Sequence, residues 1–186
     1  MRGLSKLRAR RPSGAEPGIS PEADEGPERR AEKYALDLLG RRPRTVSDVA
    51  TRLRARGCPE PVTAGLVARL QSAGYLDDRR FARSWVEERS RSKPCGAARL
   101  GRELILKGVP AEVVSDVLAA EMTPRVEEEL AVRAARRKSG PDGPRPGPET
   151  RKLWDFLRRR GFGACACRAA LAAVTGLPPD GDECPP

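Results

Sequence analysis

An internal repeat limits what this chain can fold into more than any other feature. Val49, Leu53 and Gly57 recur as Leu100, Leu104 and Gly108, and again as Leu153, Leu157 and Gly161, with the glycines 51 and then 53 residues apart. Apolar residues four apart share one face of a helix, and a glycine one turn further on supplies the left-handed residue that ends it. Upstream, Ala31 and Tyr34 stand 51 residues before Ala82 and Trp85. Downstream of the glycines, "CPEPVTAGLVARL", "VPAEVVSDVLAAE" and "FGACACRAALAAV" place small or apolar residues in register: Val62, Val113 and Ala166, then Val67, Leu118 and Leu171. Each unit therefore reads helix, helix, glycine turn, helix, and a period of this length implies an array of like modules. A unit of about fifty residues is small for independent stability, so neighbours are expected to pack end to end and share a core.

Local signals agree with a helical reading. Val46, Val49, Ala50 and Leu53 form one apolar stripe, and Thr45 with Asp48 resembles a capping box in which Asp replaces Glu. Pro59 opens a following helix that carries Val62, Leu66 and Leu70, and Gly74 closes it. No stretch alternates β-branched residues with a period of two. The predicted fold class is all-α: three tandem three-helix, helix-turn-helix-like repeats in an elongated, curved array. The predicted divisions are a disordered tail over 1–27, repeats over 28–76, 77–122 and 123–177, and a disordered tail over 178–186. The Pro- and Gly-rich stretch 139–149 is read as a surface loop between the first two helices of the third repeat.

An array of this kind offers a long surface rather than a deep pocket, and its charge bears on what that surface meets. Lys and Arg number 36 against 26 Asp and Glu, a net charge of +10, which favours nucleic acid, acidic protein or anionic lipid as a partner. The excess lies mainly at the two ends: ten basic residues against five acidic over 28–76, nine against eight over 77–122, and twelve against nine over 123–186. Histidine is absent, which removes the commonest general base, and neither a phosphate-binding glycine loop nor a nucleophile elbow is present. Asp77 and Asp78 are read as helix-start residues, and Glu87 and Glu88 as exposed partners for Arg83, Arg91 and Lys93. Cys58, Cys95, Cys165, Cys167 and Cys184 lack paired metal-ligand spacing, so they are read as small buried or half-buried thiols. The reading is of a protein that is not an enzyme and uses no cofactor and no metal. With no apolar run of 18 residues and no apolar core to a leader at the N-terminus, a cytoplasmic protein without a membrane span is expected.

The stretch "GYLDDRRFA" (residues 74–82), closing one helical unit and opening the next, resembles the signature of the RecX family of bacterial regulators of the RecA recombinase. The resemblance runs from about Arg30 to Val174. It is carried by Gly74, Tyr75, Leu76, Asp77, Asp78, Phe81 and Ala82, and again by Gly96, Arg99, Leu104, Lys107 and Gly108. In the third unit "LWDFLRRRGF" still fits, although the loop before it is longer than the family pattern. The resemblance implies a monomeric protein of three tandem three-helix repeats that lies in the groove of the RecA filament on single-stranded DNA. There it would inhibit or modulate recombinase, ATPase and coprotease activities, including the SOS response, with direct DNA contact as a further possibility. The signature residues Gly74 to Ala82 are expected to be structural, with Tyr75, Phe81 and Trp85 packed in the core. Candidate partner contacts are the exposed arginines Arg52 and Arg56, Arg99 and Arg102, and Arg158 and Arg159. The alternative is a basic helical-repeat module that binds DNA without RecA.

Overall fold

The computed structural model describes residues 26–140, 144–145 and 147–176. Among the described residues the chain forms nine helices and no strand: α1 (Pro27–Arg41), α2 (Val46–Ala55), α3 (Glu60–Ser72), α4 (Asp78–Ser92), α5 (Ala97–Leu106), α6 (Ala111–Glu121), α7 (Pro124–Ser139), α8 (Pro148–Arg159) and α9 (Ala164–Thr175). The all-α expectation holds, and the helices fall into three units of three. Residues 1–25 of the predicted N-terminal tail, and all of the predicted C-terminal tail over 178–186, lie outside the described residues. Pro27 already belongs to α1, and α8 begins at Pro148, inside the stretch expected as loop. A proline in the first turn forfeits no hydrogen bond and sets φ for a helix, which is why both helices start there.

Short-range chemistry explains the other boundaries. Thr45, Asp77 and Thr123 cap α2, α4 and α7 by accepting from the amides of Asp48, Arg80 and Val126. The second helix of every unit ends in the same way. The amides of Gly57, Gly108 and Gly161 donate to Arg54, Ile105 and Arg158, and those of Cys58, Val109 and Phe162 donate back to Leu53, Leu104 and Leu157. This is a Schellman ending, and the three glycines adopt φ of 78°, 80° and 83° to make it. The leucine of the repeat thus serves twice, as a fully buried core side chain and as the carbonyl that closes the turn.

The core is where the structure departs from expectation. Ala31, Ala35, Val49, Leu53, Leu66, Leu70 and Leu76 make a separate core for the first unit. The second and third units share one continuous core, running from Ala82, Leu100 and Leu104 through Val117 and Met122 to Trp154, Leu157 and Phe162. A shared core therefore joins only two of the three units. The reason lies in α7, which packs along α9 and presents Leu130, Ala131, Ala134 and Ala135 to the same interior that receives Val86 and Cys95.

Both unit junctions nevertheless follow one plan, built from helix ends. At the first, the Thr45 hydroxyl donates to the Lys107 carbonyl at 2.7 Å, so the start of α2 sits on the end of α5. At the second, the Gly96 amide donates to the Arg160 carbonyl at 3.0 Å, so the start of α5 sits on the end of α8. The positive end of one helix dipole meets the negative end of the next, and groups that a helix terminus leaves unpaired find partners. A carboxylate from the first helix of the following unit completes each junction: Asp78 accepts from the Val46 amide at 2.9 Å, and Glu127 from the Ala97 amide at 3.0 Å. Val46 and Ala97 are the first residues of α2 and α5, so the two contacts are equivalent in the repeat.

Candidate partner interface

The six arginines expected to face a partner divide by what already holds them. Arg52 pairs with Asp48 at 3.0 Å, and Arg99 with Glu103 at 3.1 Å. The Arg56 guanidinium lies 3.9 Å from the centre of the Tyr34 ring, and Arg158 donates to the Phe162 carbonyl at 2.9 Å. Arg102 and Arg159 are exposed and make no ion pair with a described carboxylate. The stacking of Arg56 on Tyr34 is itself a repeat feature, because Lys107 lies 3.9 Å over the Trp85 ring in the second unit. In both units the cation at the end of the second helix covers the aromatic of the first, a contact worth about 0.5–1 kcal/mol at an exposed site. The 51-residue offset of Tyr34 and Trp85 is legible in the sequence, whereas the cation that covers each ring is set by how the first and second helices of the unit pack.

Several acidic residues are likewise engaged within the chain. Arg91 pairs with Glu87 at 3.8 Å and Glu88 at 3.3 Å, as expected, whereas Arg83 instead reaches Glu121 at 3.7 Å. Burial pushes the Asp48 carboxyl up, but hydrogen bonds from Arg44 and Arg52 outweigh it and hold the group below its usual range. Glu103 is the most heavily bonded acid. It takes Arg89 through both oxygens, at 2.5 and 2.8 Å, and accepts from the Trp85 indole at 3.2 Å. The Arg89 bonds are the main reason that its pKa lies near about 2, with Arg99 and Trp85 adding to them against the cost of burial. Among the described residues no group of three or more Cys, Asp or Glu side chains converges to hold a metal ion. Cys95 and Cys167 are buried and Cys58 is half-buried, but Cys165 is exposed, contrary to expectation, at the second position of α9.

The signature stretch joins the first two units. Gly74 adopts φ of 75° and ends α3, Leu76 is buried in the first core, and Ala82 is buried in the second. Asp77 caps α4, while Asp78 is turned back to the first unit, where it accepts from Val46. Phe81 and Trp85 stack on one another and are half-buried against the second core. Tyr75 is a correction. It is 58% exposed rather than packed, because Leu76, whose amide also reaches the Leu70 carbonyl, takes the buried place beside this turn.

Burial raises the Asp78 pKa, against the opposing effect of the Val46 amide, and the adjacent Asp77 charge adds to the rise. A carboxyl raised in the folded state gives stability that is complete below its unfolded pKa and is lost as pH rises through the folded one. Asp78→Asn keeps the acceptor oxygen and removes the disfavoured charge. Urea unfolding at neutral pH is expected to show that variant as stable as the parent or slightly more so. Asp78→Ala, which orphans the Val46 amide, is expected to lose about 1–2 kcal/mol.

These features define a helical-repeat protein of three like units, coupled end to end through capped helix termini. Family comparisons give that class its name. The model of the RecX first three-helix domain matches residues 31–70, and that of the second matches residues 77–118. A regulatory protein RecX from Mycobacterium sp. (strain KMS) is 36% identical over 158 residues, covering 81% of this chain and 85% of that protein. One from Mycobacterium tuberculosis (strain ATCC 25177 / H37Ra) is 33% identical over 152 residues, covering 79% and 87%. The crystal structure of RecX from Lactobacillus salivarius superposes with a TM-score of 0.69 at 19% identity, covering 81% of this chain and 96% of that one. The chain belongs to the RecX family of regulatory proteins. No helix among the described residues is long and apolar enough to cross a membrane.

Proposed function

We propose that this chain regulates a RecA recombinase by binding along the RecA filament on single-stranded DNA. There, as a monomer in the bacterial cytoplasm, it restrains ATP hydrolysis, strand exchange and coprotease activity without performing catalysis itself. The observation that carries the reading is the agreement of the array as a whole with proteins named as RecX regulators: the match covers about four-fifths of this chain. Units coupled through helix ends follow one another along the array, which suits contact with the repeated protomers of a filament. The net charge of +10 draws the chain toward an anionic nucleoprotein, and the attraction weakens with salt.

Of the six candidate arginines, Arg102 and Arg159 are assigned first contact, since reversing their charge breaks no internal ion pair. The test is single-strand-dependent ATP hydrolysis by RecA from the same organism, with this chain titrated below one copy per RecA. Inhibition that survives added DNA is expected. Arg102→Glu with Arg159→Glu is expected to raise the concentration for half-inhibition about tenfold while leaving the melting temperature unchanged. No inhibition, or inhibition abolished by extra DNA, would overturn the reading in favour of plain DNA binding.

A further inference from the structure

Large apolar side chains at the surface are concentrated in one place. Among the described residues those exposed are Leu36, Tyr75, Ile105 and Leu106, and Leu106 is 87% exposed. All four line the groove between the first and second units. Its two depressions, of about 840 and 680 Å³, share Pro43, Arg44, Phe81 and Ser84. Ile105 and Leu106 lie in the first, Leu36 and Tyr75 in the second. An apolar patch gathered in a concavity marks an interaction site, whereas scattered apolar residues do not.

The repeat shows that the patch is not required by the fold. Counted back from the turn glycine, the places of Ile105 and Leu106 are held by Arg54 and Ala55 in the first unit and by Arg158 and Arg159 in the third. The Schellman ending forms at all three sites regardless. Tyr75 also stands beyond what its turn needs, since Leu76 fills the buried place. The apolar character is therefore specific to the groove.

Charge selects the occupant. Asp48 is held by Arg44 and Arg52, Asp77 by the Arg80 amide that it caps, and the exposed Glu87 and Glu88 share Arg91, at 3.8 and 3.3 Å. The side chains of Arg42, Arg80 and Lys107 line the same groove and pair with no described carboxylate; Arg80 reaches the Gly74 carbonyl, and Lys107 lies on Trp85. We infer that the groove between the first two units is a protein-docking site. Its partner presents apolar side chains flanked by carboxylates, which Leu36, Tyr75, Ile105 and Leu106 receive while Arg42, Arg80 and Lys107 meet the acids. Nucleic acid is the poorer fit, because aliphatic Ile105, Leu106 and Leu36 give phosphates nothing and stack bases badly. The inference rests on the filament-binding reading and deepens it by naming the surface that meets protein rather than DNA.

The test uses the full chain and the double variant Tyr75→Ser, Leu106→Ser, whose sites are exposed so that the melting temperature is retained. Fluorescence anisotropy measures binding to RecA filaments on single-stranded DNA and to the same DNA alone. Loss of about tenfold or more in affinity for the filament, with unchanged affinity for DNA alone, is the expected result. If the parent binds filament and the variant binds it equally well, the docking site is overturned and the filament reading stands. If both affinities fall together, the groove takes nucleic acid and the inference is wrong. A parent that ignores filaments removes the reading, and the inference goes with it. Sedimentation equilibrium provides a further check: a parent dimer that the variant abolishes would assign the groove to a second copy, and a parent affinity that rises tenfold on deleting residues 2–25 would assign it to the chain's own N-terminal segment. Either result overturns the inference.

Discussion

Alanine at Gly161 is expected to destabilise this protein several times more than alanine at Gly57, although the two glycines end equivalent helices with nearly the same φ. The backbone term is common to both: a side chain in the left-handed region costs about 1 kcal/mol. The surroundings differ. A Cβ on Gly57 meets nothing within 4 Å, because among the described residues no unit packs on the end of α2. On Gly108 it lies 2.5 Å from the Ser47 Cβ and Oγ, across the first junction. On Gly161 it lies 2.5 Å from the Arg99 amide nitrogen, across the second, where backbone has to move. We expect losses of about 1, 2 and 4 kcal/mol in that order, and falls in melting temperature of about 3, 6 and 12 °C. Differential scanning calorimetry would also separate the cores. Gly108→Ala loosens a joint between two cores and should broaden or split the transition, whereas Gly161→Ala strikes inside the shared core and should shift it as a whole. Equal effects at all three glycines would be incompatible with the end-to-end junctions.

The same comparison shows what the sequence makes legible. Periodicity records which face of a helix is apolar and where the helix stops, so the leucine–glycine repeat and the capping residues Thr45 and Asp77 could be read directly. It carries less about what lies beyond a helix end. Every junction contact has a backbone group of Lys107, Val46, Arg160, Gly96 or Ala97 on at least one side, and backbone has no composition. Two small clues were present. Gly96 occupies the N-cap place that Thr45 holds in the first unit, and a Cβ there would lie 2.2 Å from the Gly161 carbonyl oxygen, so this glycine serves close approach. Asp78 and Glu127 likewise stand near the start of the first helix of their units, where each was open to reading as a simple first-turn acid. The arginines were harder to read. Exposure on a helix face does not reveal whether Arg52, Arg56 or Arg99 has a partner within the chain, because their partners lie one turn away, on another helix, or both. Tyr75 was misplaced for a related reason: a signature residue beside a buried leucine looks like core until the turn assigns the inward position to only one of the two.

Glu103→Gln is the second large effect expected, and its pH dependence identifies the cause. The carboxylate joins α4 to α5, since Arg89 and Trp85 belong to the former and Glu103 and Arg99 to the latter. Its side chain is only 18% exposed and that of Arg89 only 22%, so removing the charge leaves a partly desolvated guanidinium without its partner. A pKa drawn down from 4.5 to about 2 corresponds to about 3 kcal/mol at neutral pH, and residual solvent access lowers the expected loss to about 2 kcal/mol. Because the folded pKa is depressed, this stability is fully present above the unfolded value near 4.5 and is lost as pH falls toward about 2. Urea unfolding of parent and variant should therefore differ most at pH 6 to 7, with the difference reduced to about half or less at pH 3. Glutamine preserves the volume and keeps an acceptor for the Trp85 indole, so packing alone predicts a small difference that does not vary with pH. A large gap that stayed constant down to pH 3 would mean that shape rather than charge joins the two helices. A gap that closes with acid would make the Arg89–Glu103 pair the electrostatic tie that holds Trp85, and with it the floor of the inter-unit groove, in place.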